Sequence, residues 1–133
     1  MFEKLEITRM AQALAAHSGA RQGAVAQNIA QADTPGYRAV DVADFATTYR
    51  DAQADVGLRA TRPGHIGGER SGSDAGPEFI ARTIRGAASP DGNTVSIETE
   101  MVKAVQVRQE HEMALAIYRS VSDVLRTSLG RSR

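Results

Sequence analysis

A ladder of alternating four- and three-residue steps runs from residue 97 to residue 129: Ile97, Met101, Ala104, Arg108, His111, Leu115, Tyr118, Ser122, Leu125 and Leu129. Ten consecutive positions with this spacing define a helix that buries one seam against another helix, as in a coiled coil. A second stripe, Val102, Val105, Met113, Ile117, Val121 and Val124, runs beside the first. One partner helix cannot cover both, so the pattern calls for more than one neighbour. Local signals set the start of this helix. A turn at Pro90-Asp91-Gly92 precedes Ser96, a candidate N-cap, and Glu98 and Glu100 place negative charge in the first turn, where the helix dipole favours it. The helix is expected from residue 96 to about 129.

A second helix is expected at the other end of the chain, from residue 3 to about 32, with Leu5, Met10, Leu14, Arg21, Val25, Ile29 and Ala32 recurring mostly every three or four residues. Its middle is small: Ala13, Ala16, Gly19, Ala20, Gly23 and Ala24. A glycine inside a helix costs about 1 kcal/mol relative to alanine. Two of them imply that another backbone comes very close. The helix stops at Asp33-Thr34-Pro35-Gly36-Tyr37. Proline excludes Thr34 from the helical region, and Pro-Gly at the centre of a turn suits type II geometry, because glycine accepts positive φ. Asn28 is placed either to satisfy backbone groups freed by the turn or to sit in the interhelical seam, and Tyr37 to fold back on the helix end.

Between these helices the chain changes character. Eight of the 12 glycines and three of the 4 prolines lie between Gly57 and Gly92. The stretch 62–77, RPGHIGGERSGSDAGP, offers turn chemistry and little to bury. Two alternating patches, 56–60 and 78–84, flank it and could pair as a short hairpin. The expected fold is therefore mainly α: an antiparallel, coiled-coil-like pair of N- and C-terminal helices joined by a loop-rich middle with a possible short β-hairpin. The chain divides into a helical segment with its turn (1–36), a partly extended middle (37–92) and a second helical segment (93–133). Such a pair buries little by itself, and its spare apolar stripe implies a subunit that completes its core against copies of itself or relatives.

Composition narrows the function. Sixteen basic and 16 acidic residues cancel, and no segment carries the basic excess of a nucleic-acid binder. There is no cysteine, hence no disulfide framework or thiolate metal site. The three histidines, His17, His65 and His111, never stand at ligand spacing, and the HEMAL stretch at 111–115 lacks a zincin's second histidine. No Gly-Lys-Ser/Thr phosphate loop and no Gly-x-Ser-x-Gly elbow occurs. The expectation is no enzyme, no cofactor and no metal. No uncharged apolar run approaches the ~20 residues of a membrane span. Gln12, His17 and Ser18 interrupt the apolar core a cleaved signal peptide would need, so any export is expected to proceed without a cleaved leader.

The stretch 27–45, QNIAQADTPGYRAVDVADF, resembles the signature of the bacterial flagellar axial proteins, the rod and hook family, whose N-terminal helix closes in an N-[I/V]-A-N-x-x-T-x-G-[F/Y] pattern. Asn28, Ile29, Ala30, Thr34, Gly36 and Tyr37 match it, with Pro35 inside the turn, while Gln31 stands where the family usually has Asn. With SPDGNTVSIETEM at 89–101, the resemblance is to a proximal-rod member of that family; it covers both ends of the chain and not 46–88. It implies a non-enzymatic subunit of the periplasmic rod that transmits torque and associates with copies of itself. The further partners implied are other rod proteins, the FliE adaptor, the FliF MS ring and the export gate. The alternatives are a sister proximal rod protein and a helical adaptor or chaperone of the export system. The residues expected to pack in assembly are Leu5, Met10, Leu14 and Val25 on the first helix. On the second they are Ile97, Met101, Val105, Leu115, Tyr118, Val121, Leu125 and Leu129.

Overall fold

The computed structural model describes residues 2–54 and 77–130. Helix α1 spans Phe2–Ala30, strand β1 Val40–Val42, helix α2 Phe45–Ala54, strand β2 Ala81–Thr83 and helix α3 Ile97–Ser128. The two long helices, 29 and 32 residues, run antiparallel: Ser18 meets His111, and ten residues further along α1 Asn28 meets Glu100. The fold is the expected helical pair with a small antiparallel sheet in the middle segment. Ser96 caps α3, accepting from the Thr99 N–H, and Glu98 and Glu100 occupy its first turn.

Helix α1 forms the middle layer. Among the described residues the backbone of α3 packs closely only on α1, with Lys103 reaching Asp41 of β1 through its side chain, whereas α1 also packs on β1, α2 and β2. This explains the small side chains of α1, since one face (Ala11, Ser18, Val25, Asn28) is buried toward α3 and an adjoining one (Ala13, His17, Ala24) toward the sheet and α2. The buried apolar core is correspondingly thin, with Val107 and Ala114 its contribution from α3.

Three features depart from expectation. First, α3 turns a different edge toward α1. Glu100, Val107 and Ala114 are its buried residues, at seven-residue intervals, and Lys103, Ala104, His111, Leu115, Val121, Ser122 and Leu125 are half-buried beside them. Met101 and Arg108 of the expected ladder are exposed, as are Ile97, Tyr118 and Leu129. The rotation follows from polar pairing, because Glu100 can reach Asn28 only if α3 presents this edge. Second, the strand that pairs with 81–83 is 40–42, in register Val40↔Thr83, Asp41↔Arg82 and Val42↔Ala81. The patch 56–60, expected as its partner, lies outside the described residues. Third, part of the supposed loop is helix α2. Asp44 starts it by accepting from the Thr47 N–H at 3.4 Å. Phe45 and Tyr49, four residues apart, stack at 5.3 Å, and Phe45 and Phe79 both lie edge-on to His17 of α1. The His17 Nε2–H donates to the Ala43 carbonyl at 2.8 Å, which draws α2 onto α1.

The glycines of α1 find no close neighbour among the described residues. A Cβ built on Gly19 or Gly23 meets nothing within 4 Å. The approaching backbone expected from their presence is not part of the chain's own described fold.

The burial pattern sets a contrast on α3. Val107→Ala removes two buried methyl groups and is expected to lower stability by about 2 kcal/mol, whereas Val105→Ala, exposed, should cost under about 0.5 kcal/mol. Urea unfolding followed by circular dichroism measures both.

Candidate functional site

Helix α1 ends in a turn whose polar groups are answered partly within the turn and partly by residues 91–94, just before α3. The Tyr37 N–H donates to the Thr34 carbonyl at 3.2 Å, and Gly36 between them has φ +73, the positive value that a type II turn demands at its third position. Thr34 Oγ1 donates to Gln31 Oε1 at 2.6 Å, so the residue that departs from the axial signature helps hold the turn.

A second turn, 89–92, lies against the first. The Gly92 N–H donates to the Ser89 carbonyl, Gly92 also has positive φ (+84), and a Cβ on it would come within 3.4 Å of the Gly36 Cα. The Gly36 N–H donates to the Asp91 carbonyl at 3.0 Å. Next to this contact, the buried Asn93 amide directs Nδ2 at the carbonyls of Gln31, Ala32 and Thr34, at 3.0, 2.8 and 2.9 Å. The carbonyls of Gln31 and Thr34 also accept from the Thr34 and Tyr37 N–H groups, so Asn93 adds a second donor to each of them and one to that of Ala32. Thr94 extends the contact: its N–H donates to the Tyr37 carbonyl and its Oγ1 accepts from the Ala39 N–H.

One turn of helix below lies Asn28, fully buried. Its Oδ1 accepts from the Val40 N–H at 2.9 Å and the Tyr37 hydroxyl at 3.3 Å. Its Nδ2 donates to the Val40 carbonyl at 2.8 Å and to Glu100 Oε2 at 3.0 Å. All four hydrogen-bonding positions of the amide are therefore used. Toward Val40 it pairs as a neighbouring strand would, closing the edge of β1 that faces α1.

An ion-pair chain continues outward. Glu100 Oε1 meets Lys103 Nζ at 2.9 Å, Lys103 meets Asp41 at 3.3 Å, and Asp41 meets Arg21 Nε at 3.2 Å. Arg21 also reaches Glu110 at 3.6 Å. The chain links α3, β1 and α1. Burial pushes the Lys103 pKa down, but the hydrogen bond and charge of Glu100, with those of Asp41, outweigh it and hold it above the usual 10.5.

Of the axial-signature residues, Asn28 and Tyr37 enter this junction through their side chains and Gly36 through its backbone. Thr34 and Pro35 lie exposed in the turn, and Ile29 and Ala30 face outward on the last turn of α1. Of the residues expected to pack, Val25 is buried and Leu14, Leu115, Val121 and Leu125 are half-buried. Leu5, Met10, Ile97, Met101, Val105, Tyr118 and Leu129 are exposed. Asp41, Asn93 and Thr94 lie within the stretches that carry the family resemblance but were given no structural role there, Lys103 was not singled out, and Glu100 was taken for a dipole charge. The available signal for Asn93 was its place directly after a turn glycine. Among the described residues no group of three or more His, Asp or Glu could hold a metal, and no helix is long and apolar enough to cross a membrane.

A helical hairpin pinned at one end by buried amides and ion pairs, with a small antiparallel sheet beside it and large apolar residues exposed on its outer faces, defines a class: a mainly helical protein with no metal-binding cluster among the described residues. No protein-family model matches the chain. It is 34% identical over 103 residues to the flagellar basal body rod protein FlgB of Escherichia coli K12, covering 72% of each chain. The match to FlgB of Salmonella typhimurium is 34% over 104 residues, 73% of each chain. To FlgB of Agrobacterium fabrum it is 25% over 118 residues, 89% of this chain and 88% of the relative. The chain belongs to the FlgB family of flagellar basal body rod proteins and is a structural component of the flagellar rod.

Two outcomes test the junction. Asn28→Asp removes both donors and sets a second carboxylate against Glu100; it should destabilise the fold by about 3 kcal/mol or more in urea unfolding. The raised pKa of Lys103 contributes stability that is complete below 10.5 and is lost as pH rises through the higher folded value. Lys103→Met leaves Glu100 without its cation and should cost about 1–3 kcal/mol at pH 8. That gap should narrow as pH rises through the raised pKa of the wild-type lysine, above 10.5, where it too loses its proton.

Proposed function

We propose that this protein is a proximal-rod subunit whose terminal helices are completed by neighbouring helices, and that it carries torque through those contacts. The observation that carries the reading is the outer surface of α3. Met101, Val102 and Val105 are each 58% exposed, and Met113, Ile117 and Val124 continue the stripe on the side away from α1. Leu5, Ile7 and Met10 leave the first half of α1 equally uncovered. Contiguous apolar surface of this kind marks an interaction face. The open space beside Gly19 and Gly23 offers a neighbouring helix a close approach to α1.

On this reading 1–36 and 93–133 form the helical core that packs in the rod, and 37–92 is carried on its side. Leu5, Met10, Ile97, Met101, Val105, Tyr118 and Leu129 meet neighbouring subunits. Val25, Leu14, Leu115, Val121 and Leu125 hold the pair in shape for them. The neighbours are copies of the chain, other rod proteins, the FliE adaptor, the FliF MS ring and the export gate, and the site of assembly is periplasmic, reached without a cleaved leader.

Val105→Glu and Met113→Glu place charge on the outer stripe and leave the α1–α3 seam untouched. Each purified variant should keep the wild-type circular dichroism spectrum and melting curve. In a strain lacking the native gene, each should fail to restore swimming and should be missing from isolated basal bodies. Normal motility with both variants would remove this stripe from the assembly surface.

A further inference from the structure

We infer that residues 89–94 form a latch that closes the C-terminal end of α1 in one step, with Asn93 as its positioning residue. This goes beyond the rod-subunit reading and does not depend on it.

Between residues 31 and 40, six backbone groups take their hydrogen bonds from residues 91–94. They are the carbonyls of Gln31, Ala32, Thr34 and Tyr37 and the N–H groups of Gly36 and Ala39. A seventh and eighth, the N–H and carbonyl of Val40, are held by Asn28, whose second Nδ2 hydrogen requires Glu100 of α3. Ala39 is 3% exposed, Asn93 2% and Asn28 not at all, so little water can replace a lost partner at these three residues, while Thr34 and Gly36 lie at the exposed edge of the turn. If 89–94 withdraws, the turn loses these partners together, and β1 loses the turn that aims it at Asn28.

Asn93 is the piece on which the others depend. Its Oδ1 accepts from its own chain at the Val95 N–H, 2.8 Å, and its N–H donates to Asp91 Oδ1. The side chain is thereby fixed in the loop before α3 while its donor end covers three carbonyls of the turn that follows α1. Docking of α3 is communicated through this amide to the end of α1. The consequence is a hairpin with a cooperative end and a free one: the turn region and the start of α3 order as one unit, while the Phe2 and Ser128 ends are outside the latch.

Amide hydrogen exchange of the full chain, resolved by NMR, tests this. In Asn93→Ala the amides of Gly36, Ala39 and Val40 should all exchange about tenfold faster or more, by similar factors, while amides in the middle of α1 and α3 stay within about twofold of wild type. Asn93→Asp, which replaces the donor by an acceptor facing three carbonyls, should accelerate the same amides further. Acceleration of Gly36 alone, or no change, would overturn the latch. Should Asn93→Ala unfold the whole chain, Thr94→Val decides the matter. It removes only the acceptor of the Ala39 N–H, and the latch requires Gly36 and Val40 to accelerate with Ala39. Acceleration confined to Ala39 would show independent contacts and end the proposal.

Discussion

Every hydrogen-bonding position of Asn28 is filled, and no partner comes from the helix that carries it. That one constraint orders much of the architecture. Satisfying its acceptor brings the strand at Val40 and the ring of Tyr37 onto α1. Satisfying its donors brings the Val40 carbonyl and Glu100. A buried amide left with a free donor or acceptor costs about 1–3 kcal/mol per group, so arrangements that miss any of these partners are strongly disfavoured. Glu100, once buried, needs a cation, and Lys103 on the next turn supplies it. Lys103 then recruits Asp41, and Asp41 recruits Arg21. The rotation of α3 and the placement of β1 follow from this sequence of obligations.

The apolar contribution is small by comparison. Alanines line much of the seam, and Val25 and Val107 are its larger fully buried members. Small residues let α1 serve as the middle layer between α3 and the sheet with α2, at the expense of buried area per residue. Polar specificity at one end and modest apolar packing along the length suit a part whose larger apolar residues face outward. The same division separates the two sets of residues in α3. Glu100, Val107 and Ala114 maintain the hairpin, and Met101, Val105 and Met113 are left for neighbours on the proposed reading.

Much of this was legible in the sequence, and the failures have a common cause. The two long helices, the N-cap at Ser96, the type II turn at 34–37 and the return of Tyr37 to the end of α1 rest on local rules and could be read directly. The face of α3 could not. Two apolar stripes run along that helix, and periodicity alone favoured the longer ladder through Met101 and Arg108. The choice belonged to Glu100, which a helical wheel scores as surface charge. The strand at 40–42 was hidden for a similar reason: three residues are too short for an alternation signal, and of its two edges one pairs with β2, about 40 residues away, and the other with the Asn28 side chain. Helix α2 lay inside a segment whose glycines and prolines begin only after it, and its Asp44 cap and Phe45–Tyr49 pair were the overlooked signals.

The amino-acid sequence alone determined which stretches become helix, where they stop and which family signature the first stop carries, because capping, turn chemistry and 3.6-residue periodicity act over a few neighbouring residues. Tertiary structure decided which edge of α3 is buried, which strand closes the sheet and why an asparagine at 93 matters at residue 34. The first and last of those outcomes depend on polar groups 59 or more positions apart finding one another, and the second on a strand pair formed across the middle segment. A pattern confined to one segment does not contain its partner.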